Sequence, residues 1–130
     1  MPIVRITLKK GKSPEFLAAV SDSIYAAMRE QFLLDEGDKF HIFEQLDDST
    51  FIYDANFGVR EPRTDDFMII QIVADARRVF EKTATIKAIC ARLGASPGVL
   101  PQNIVVVLYT SLTLEDVSLG YGESVVSLAG

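Results

Sequence analysis

Pro2 is the first residue whose chemistry stands out. Removal of Met1 ahead of a small residue is a common processing step, and it would leave this proline at the N-terminus. A terminal proline is a secondary amine held on a rigid ring. An α-amino group titrates at about 7.7–8.0, and burial in an apolar pocket lowers that further. Such a nitrogen is a general base when neutral and a general acid when protonated. Taken alone, a proline at position 2 is ordinary. What singles it out is that it opens a predicted core strand with only Met1 ahead of it.

Arg77 and Arg78 lie just beyond an apolar strand, at the expected start of a second helix. Cations are unfavourable there because a helix N-terminus prefers acids. An arginine in that place reads as an anion receptor, its planar fork matching a carboxylate. The plainer reading is a solvated surface pair. Asp38, beside Lys39, sits at the turn into a second strand and by itself is a turn residue. His41 on a strand reads as structural, and Cys90 on the apolar face of a helix as a small core hydrophobe. Asp65 and Asp66 form a strand-initiating turn rather than a metal pair, since no third ligand is apparent. Gly120 and Gly122 lack the lysine and following helix of a phosphate loop.

Composition narrows the classes. The chain has 130 residues, enough for one domain with one core. Thirteen Lys plus Arg against 18 Asp plus Glu give a net charge of -5, which disfavours binding nucleic acid through its phosphates. A single cysteine excludes an intrachain disulfide and a cysteine zinc site, and a single histidine excludes a His-rich metal site. No metal or organic cofactor is implied. No apolar run approaches the roughly 18 residues of a membrane span. Lys9, Lys10 and Lys12 follow the first apolar stretch instead of preceding it, unlike a secretory signal. The expectation is a cytoplasmic protein with no membrane partner.

The elements that must hold these residues can be read in order. Ile3 to Leu8 alternates as a strand. Ser13-Pro14-Glu15 starts a helix, and Phe16, Leu17, Val20, Ile24, Ala27 and Met28 form its apolar face, fading near Phe32 to Leu34. Phe40 to Leu46 is a second strand. A polar connector, 47–66, contains the strand-like piece Thr50 to Tyr53. Phe67 to Val73 is an apolar run of the kind covered on both faces. A second helix from about Val79 to Leu93 carries Ile86, Ile89, Cys90 and Leu93 on one side, with Gly94 as its C-terminal cap. Ile104 to Tyr109 is the last strand, and the tail to Gly130 is loop-rich apart from the apolar pair Val125-Val126.

The plan is β-α-β (2–46), connector (47–66), β-α-β (67–110) and tail (111–130), a single α+β domain. A crossover through a helix joins parallel strands. Two such units side by side give a four-stranded sheet with both helices on one face. The other face would then be bare and apolar, which predicts oligomerisation.

Several strings in this order resemble the tautomerase superfamily, with the nearest likeness to the group that includes malonate semialdehyde decarboxylase. They are Met1 to Ile6, Asp38-Lys39-Phe40, Arg63 to Ile72, Lys87 to Leu93, and the tail stretch Glu115 to Gly122. The resemblance implies two β-α-β units related by a pseudo-twofold and assembled as a homotrimer. It implies Pro2 as the catalytic amine, Arg77 as the holder of a substrate carboxylate, and Asp38 as the acid that positions a water or the substrate carbonyl. The decarboxylase pattern has two arginines separated by one residue. Here the first position holds Asp75, so only Arg77 fits and Arg78 comes one place later. Val117 and Leu119 stand where that group has Trp and Phe, giving an aliphatic pocket wall.

The first functional expectation is a tautomerase acting on a small 2-oxo acid or enol, with Pro2 as general base, Arg77 binding the carboxylate and Arg78 near it. One alternative keeps Pro2 protonated for decarboxylation or hydration. Another is an inactive trimeric binding protein.

Overall fold

The computed structural model describes residues 2–125; Met1 and 126–130, which include Val126 of the apolar pair, lie outside the described residues. The first strand, β1 (Ile3–Lys9), buries Val4, Ile6 and Leu8 and turns Ile3 and Arg5 the other way. The helix α1 (Pro14–Gln31) starts where the sequence predicts. Ser13 Oγ accepts the Phe16 N–H at 3.0 Å, and Pro14 occupies a position whose N–H needs no partner. Val20, Ile24, Ala27 and Met28 are its buried stripe. Phe32, one turn further on, continues that stripe past the helix end and is buried as well.

The second strand, β2 (His41–Leu46), runs parallel to β1. β3 (Met68–Asp75) runs antiparallel to β1. The helix α2 (Val79–Ala95) then crosses back, and β4 (Ile104–Leu112) runs parallel to β3. The sheet order is β2-β1-β3-β4. The antiparallel β1–β3 seam is therefore the pseudo-twofold: it exchanges β1 with β3 and β2 with β4. The two helices pack against each other over one face. Between them and the sheet lies one core that includes Ile6, Leu8, Ile24, Met28, Ile70 and Leu93. Each such side chain contributes roughly 1.5–3 kcal/mol on burial. Among the described residues, no helix is long and apolar enough to cross a membrane.

Several local expectations need correction. Phe40 precedes the second strand, which begins at His41. Thr50 to Tyr53 forms no strand; Phe51 and Tyr53 instead pack with Phe67, at centroid distances of 4.3–5.6 Å, in an aromatic cluster that anchors the connector. Gly94 lies inside α2, and Ser96 takes the cap. The buried stripe of α2 is Thr85, Ile89 and Leu93, while Ile86 is exposed. Thr85 is accommodated because its hydroxyl donates to the Glu81 carbonyl at 2.8 Å. The last strand runs on to Leu112, so the tail starts later than expected.

The apolar run of β3 is covered by the helices on one face only. On the other face Ile3, Ile42, Val73, Val107 and Tyr109 remain exposed in the single chain. The continuous hydrophobicity of β3 is thus not explained by burial within one copy.

Candidate active site

The topology gathers the candidate residues at one end of the sheet. β1 and β2 both start there, while β3 and β4, antiparallel to them, both finish there. Carrying the two β1 registers back to Pro2 sets it opposite Lys39 on one side and Ala74 on the other. The Val4 N–H donates to the Phe40 carbonyl at 2.9 Å, fixing the incoming chain beside β1. Pro2 is buried. Asp38 thus immediately precedes Pro2's neighbour on one side, and Arg77 follows shortly after its neighbour on the other.

Asp38 is held by a turn in which its own N–H donates to the Asp35 carbonyl at 3.1 Å. It is half-buried, and one of its carboxylate oxygens is shielded from solvent. Lys39 leans away toward α1, its ammonium 3.3 Å from Asp22 and over the Tyr25 ring.

Arg77 is the most enclosed cation at this end, its side chain 14% exposed. Its guanidinium stacks over the Phe32 ring at 4.6 Å, and Nη1 stands 2.8 Å from Asp75 Oδ1. Nη1 also donates to the carbonyl of Ala76 at 3.1 Å and, more weakly, of Asp75 at 3.4 Å. The Asp75 contact is an ion pair rather than an aligned hydrogen bond, so Asp75 Oδ1 is shielded without a well-directed donor. The pairing of β3 with β4 is irregular here: Val73 faces Tyr109 but Asp75 faces Leu112. Such a bulge re-aims a side chain at a strand end.

Arg78 goes elsewhere. Its side chain is 75% exposed, with Nε 3.1 Å from Glu81 and the guanidinium over Phe80. The Arg78 N–H donates to the same carboxylate at 3.0 Å, which closes the first turn of α2 and, with the paired cation, holds the Glu81 carboxyl below its usual range. Arg78 is therefore tied to the helix start, and the Arg77 charge acts on the same Glu81 carboxyl more weakly. The tail leaves β4 at the same end, through a single 3₁₀ turn at Leu114–Asp116. Val117 is half-buried and Leu119 exposed. The Val125 N–H donates to the Val117 carbonyl at 2.7 Å, folding the tail on itself.

Two residues of this arrangement carry no local sequence signal. Asp75 is legible only as the residue standing at the position of the missing arginine, two places past the predicted strand, and Phe32 only as the point where the apolar pattern of the first helix fades. The Glu81 partner of Arg78 did have a signal, an acid three residues after the cap position.

His41 faces α1, with Nδ1 2.8 Å from Ser21 Oγ. Burial, helped by the nearby Lys39 cation, pushes its pKa down to about 4. The imidazole is then neutral in the folded protein at pH 7 and protonates first in the unfolded chain, near 6.5. Its contribution to stability is complete above about 6.5 and is lost as pH falls toward 4. Urea midpoints measured across that window should decline as the pH is lowered, and in His41→Gln the His41 share of that decline should disappear. Among the described residues, no group of three or more His, Cys, Asp or Glu side chains could hold a metal ion.

Comparison with known proteins agrees with this architecture. The family profile described as a tautomerase enzyme matches residues 38–120. A probable tautomerase of Bacillus subtilis (strain 168), YusQ, is 31% identical over 125 residues, covering 95% of this chain and 97% of that protein. Among solved structures, a malonate semialdehyde decarboxylase superposes with a TM-score of 0.90 at 17% identity, covering 98% of each chain. The FG41 malonate semialdehyde decarboxylase, inhibited by 3-bromopropiolate, gives 0.88 at 25% identity, covering 98% of this chain and 95% of that one. A symmetric trimer of wild-type fused 4-OT gives 0.78 at 17% identity, covering 98% and 99%.

Proposed function

The chain belongs to the tautomerase family, and from that premise we propose that it is a cytoplasmic, cofactor-independent tautomerase that moves a proton within a small 2-oxo acid or its enol. The observation that carries this reading is the position of Pro2: buried at the start of a core strand, at the same sheet end as Arg77 and Asp38. Once Met1 is removed, the neutral Pro2 amine takes the proton from the enol oxygen and returns it to carbon. The reverse direction takes it from carbon. Arg77 binds the carboxylate and draws electron density toward the carbonyl. Asp38 orients the polar end of the substrate. Val117 and Leu119 supply an apolar wall, and Arg78 stands at the outer edge where an incoming anion first meets the protein. The reaction only relocates protons, so one tuned nitrogen and one fixed cation carry it.

The working unit in this reading is a homotrimer, its contacts made through the bare sheet face. There a hollow of about 350 Å³, lined by Ile3, Arg5, Gln71, Val73 and Tyr109, adjoins the Pro2 end. A single chain would leave this apolar surface in water.

The test combines intact mass of the mature protein with an enol-ketonisation assay on the same sample. Loss of Met1 together with turnover is the expected result. A retained Met1 with no turnover would favour an inactive binding protein instead. The high superposition with a decarboxylase favours one second reading, in which Pro2 stays protonated and polarises a carbonyl for decarboxylation or hydration. Release of carbon dioxide from a 3-oxo acid by the same sample would distinguish it.

A further inference from the structure

We infer that Asp75 is a specificity-determining and positioning residue: it holds Arg77 by one edge and sets the site to accept a monocarboxylate in preference to a dicarboxylate. The inference rests on Arg77 as the carboxylate holder. All of the polar contacts that Arg77 makes among the described residues fall on Nη1, which meets Asp75 Oδ1 and the carbonyls of Asp75 and Ala76. One face of the guanidinium plane is closed by Phe32. The edge formed by Nε and Nη2 is the part left to receive a ligand, and it is a complete fork for a single carboxylate.

Charge points the same way. Arg77 and Asp75 together are neutral, and Arg78, the next cation along the chain, is exposed and paired with Glu81. A monoanion meets the open edge of Arg77 and feels only part of the Asp75 charge. A second carboxylate on the same substrate finds no further cation at the pair and is repelled by Asp75. At separations of about 7 Å and an effective dielectric of about 30, one such repulsion corresponds to roughly a tenfold change in binding.

The experiment compares the full-length protein with Asp75→Asn. Asparagine keeps the shape and an oxygen facing Nη1 while removing the charge. Dissociation constants for 2-oxobutanoate, with one carboxylate, and 2-oxoglutarate, with two, are measured by calorimetry. The same acids are then used as competitors of enol ketonisation. The expected result is that Asp75→Asn gains about tenfold more affinity for the dicarboxylate than for the monocarboxylate. An equal change for both acids, or none, would overturn the assignment of Asp75. Failure of the unmodified protein to bind either acid would instead overturn the anion site at Arg77, and the proposed function with it. Asp75→Ala, which removes the facing oxygen as well as the charge, should keep the same tilt toward the dicarboxylate but bind both acids more weakly than Asp75→Asn does, because Arg77 is loosened. Affinities in Asp75→Ala equal to those in Asp75→Asn would contradict the positioning role.

Discussion

Pro2→Ala lowers kcat/KM for enol ketonisation by about a hundredfold or more, with little change in thermal stability. The free α-amine of an N-terminal alanine can still exchange a proton, so the substitution does not remove basicity. It removes the ring that fixes the nitrogen, and with it the lone pair's direction. A chain made to keep Met1 is the stricter control. There the proline nitrogen is an amide and cannot exchange protons, and the full contribution of a positioned acid–base group, about 10²–10⁴-fold, should be lost. Equal turnover by all three proteins would show that Pro2 is a structural start to β1 and nothing more.

Arg77→Ala should have the next largest effect, and on two readouts at once. Losing a charge-assisted fork to a carboxylate costs about 10²–10³-fold in kcat/KM, mostly through KM. The variant should also be less stable by about 1–3 kcal/mol, because Asp75 Oδ1, shielded from water, loses its counter-charge. Phe32 loses its stacked guanidinium as well. These effects separate in the double variant Arg77→Ala/Asp75→Ala, which should recover part of the stability and none of the activity. Arg77→Lys keeps a cation without the fork, and activity intermediate between the two is expected. Kinetics and urea unfolding on the same preparations check all three. Undiminished kcat/KM in Arg77→Ala would remove the anion anchor from the mechanism.

What could be read in the sequence, and what could not, follows the range of the interactions. Strand alternation at Val4, Ile6 and Leu8 and the Ser13-Pro14 helix start are local rules, and the structure follows them. Helix crossovers dictate parallel pairing within each half, and β1 with β2 and β3 with β4 are indeed parallel. The antiparallel join between halves is what brings Pro2 and Arg77 to one end, and no residue pattern within either half encodes it. Thr50 to Tyr53 has strand-like residues, but its aromatics find a packing partner in Phe67 that outweighs local propensity. Gly94 was a plausible stop, yet two more residues continue α2 to Ser96. The Phe32–Arg77 stack joins residues 45 positions apart, and the bulge beside Asp75 depends on β4, so neither leaves a local trace.

The most direct test of the account is a titration of the Pro2 nitrogen by NMR, on mature protein labelled with ¹⁵N-proline. A base for keto–enol transfer predicts a titrating secondary amine whose pKa lies below neutrality, drawn down by burial. A Pro2 nitrogen that titrates well above neutrality, or an amide that does not titrate at all, would contradict it.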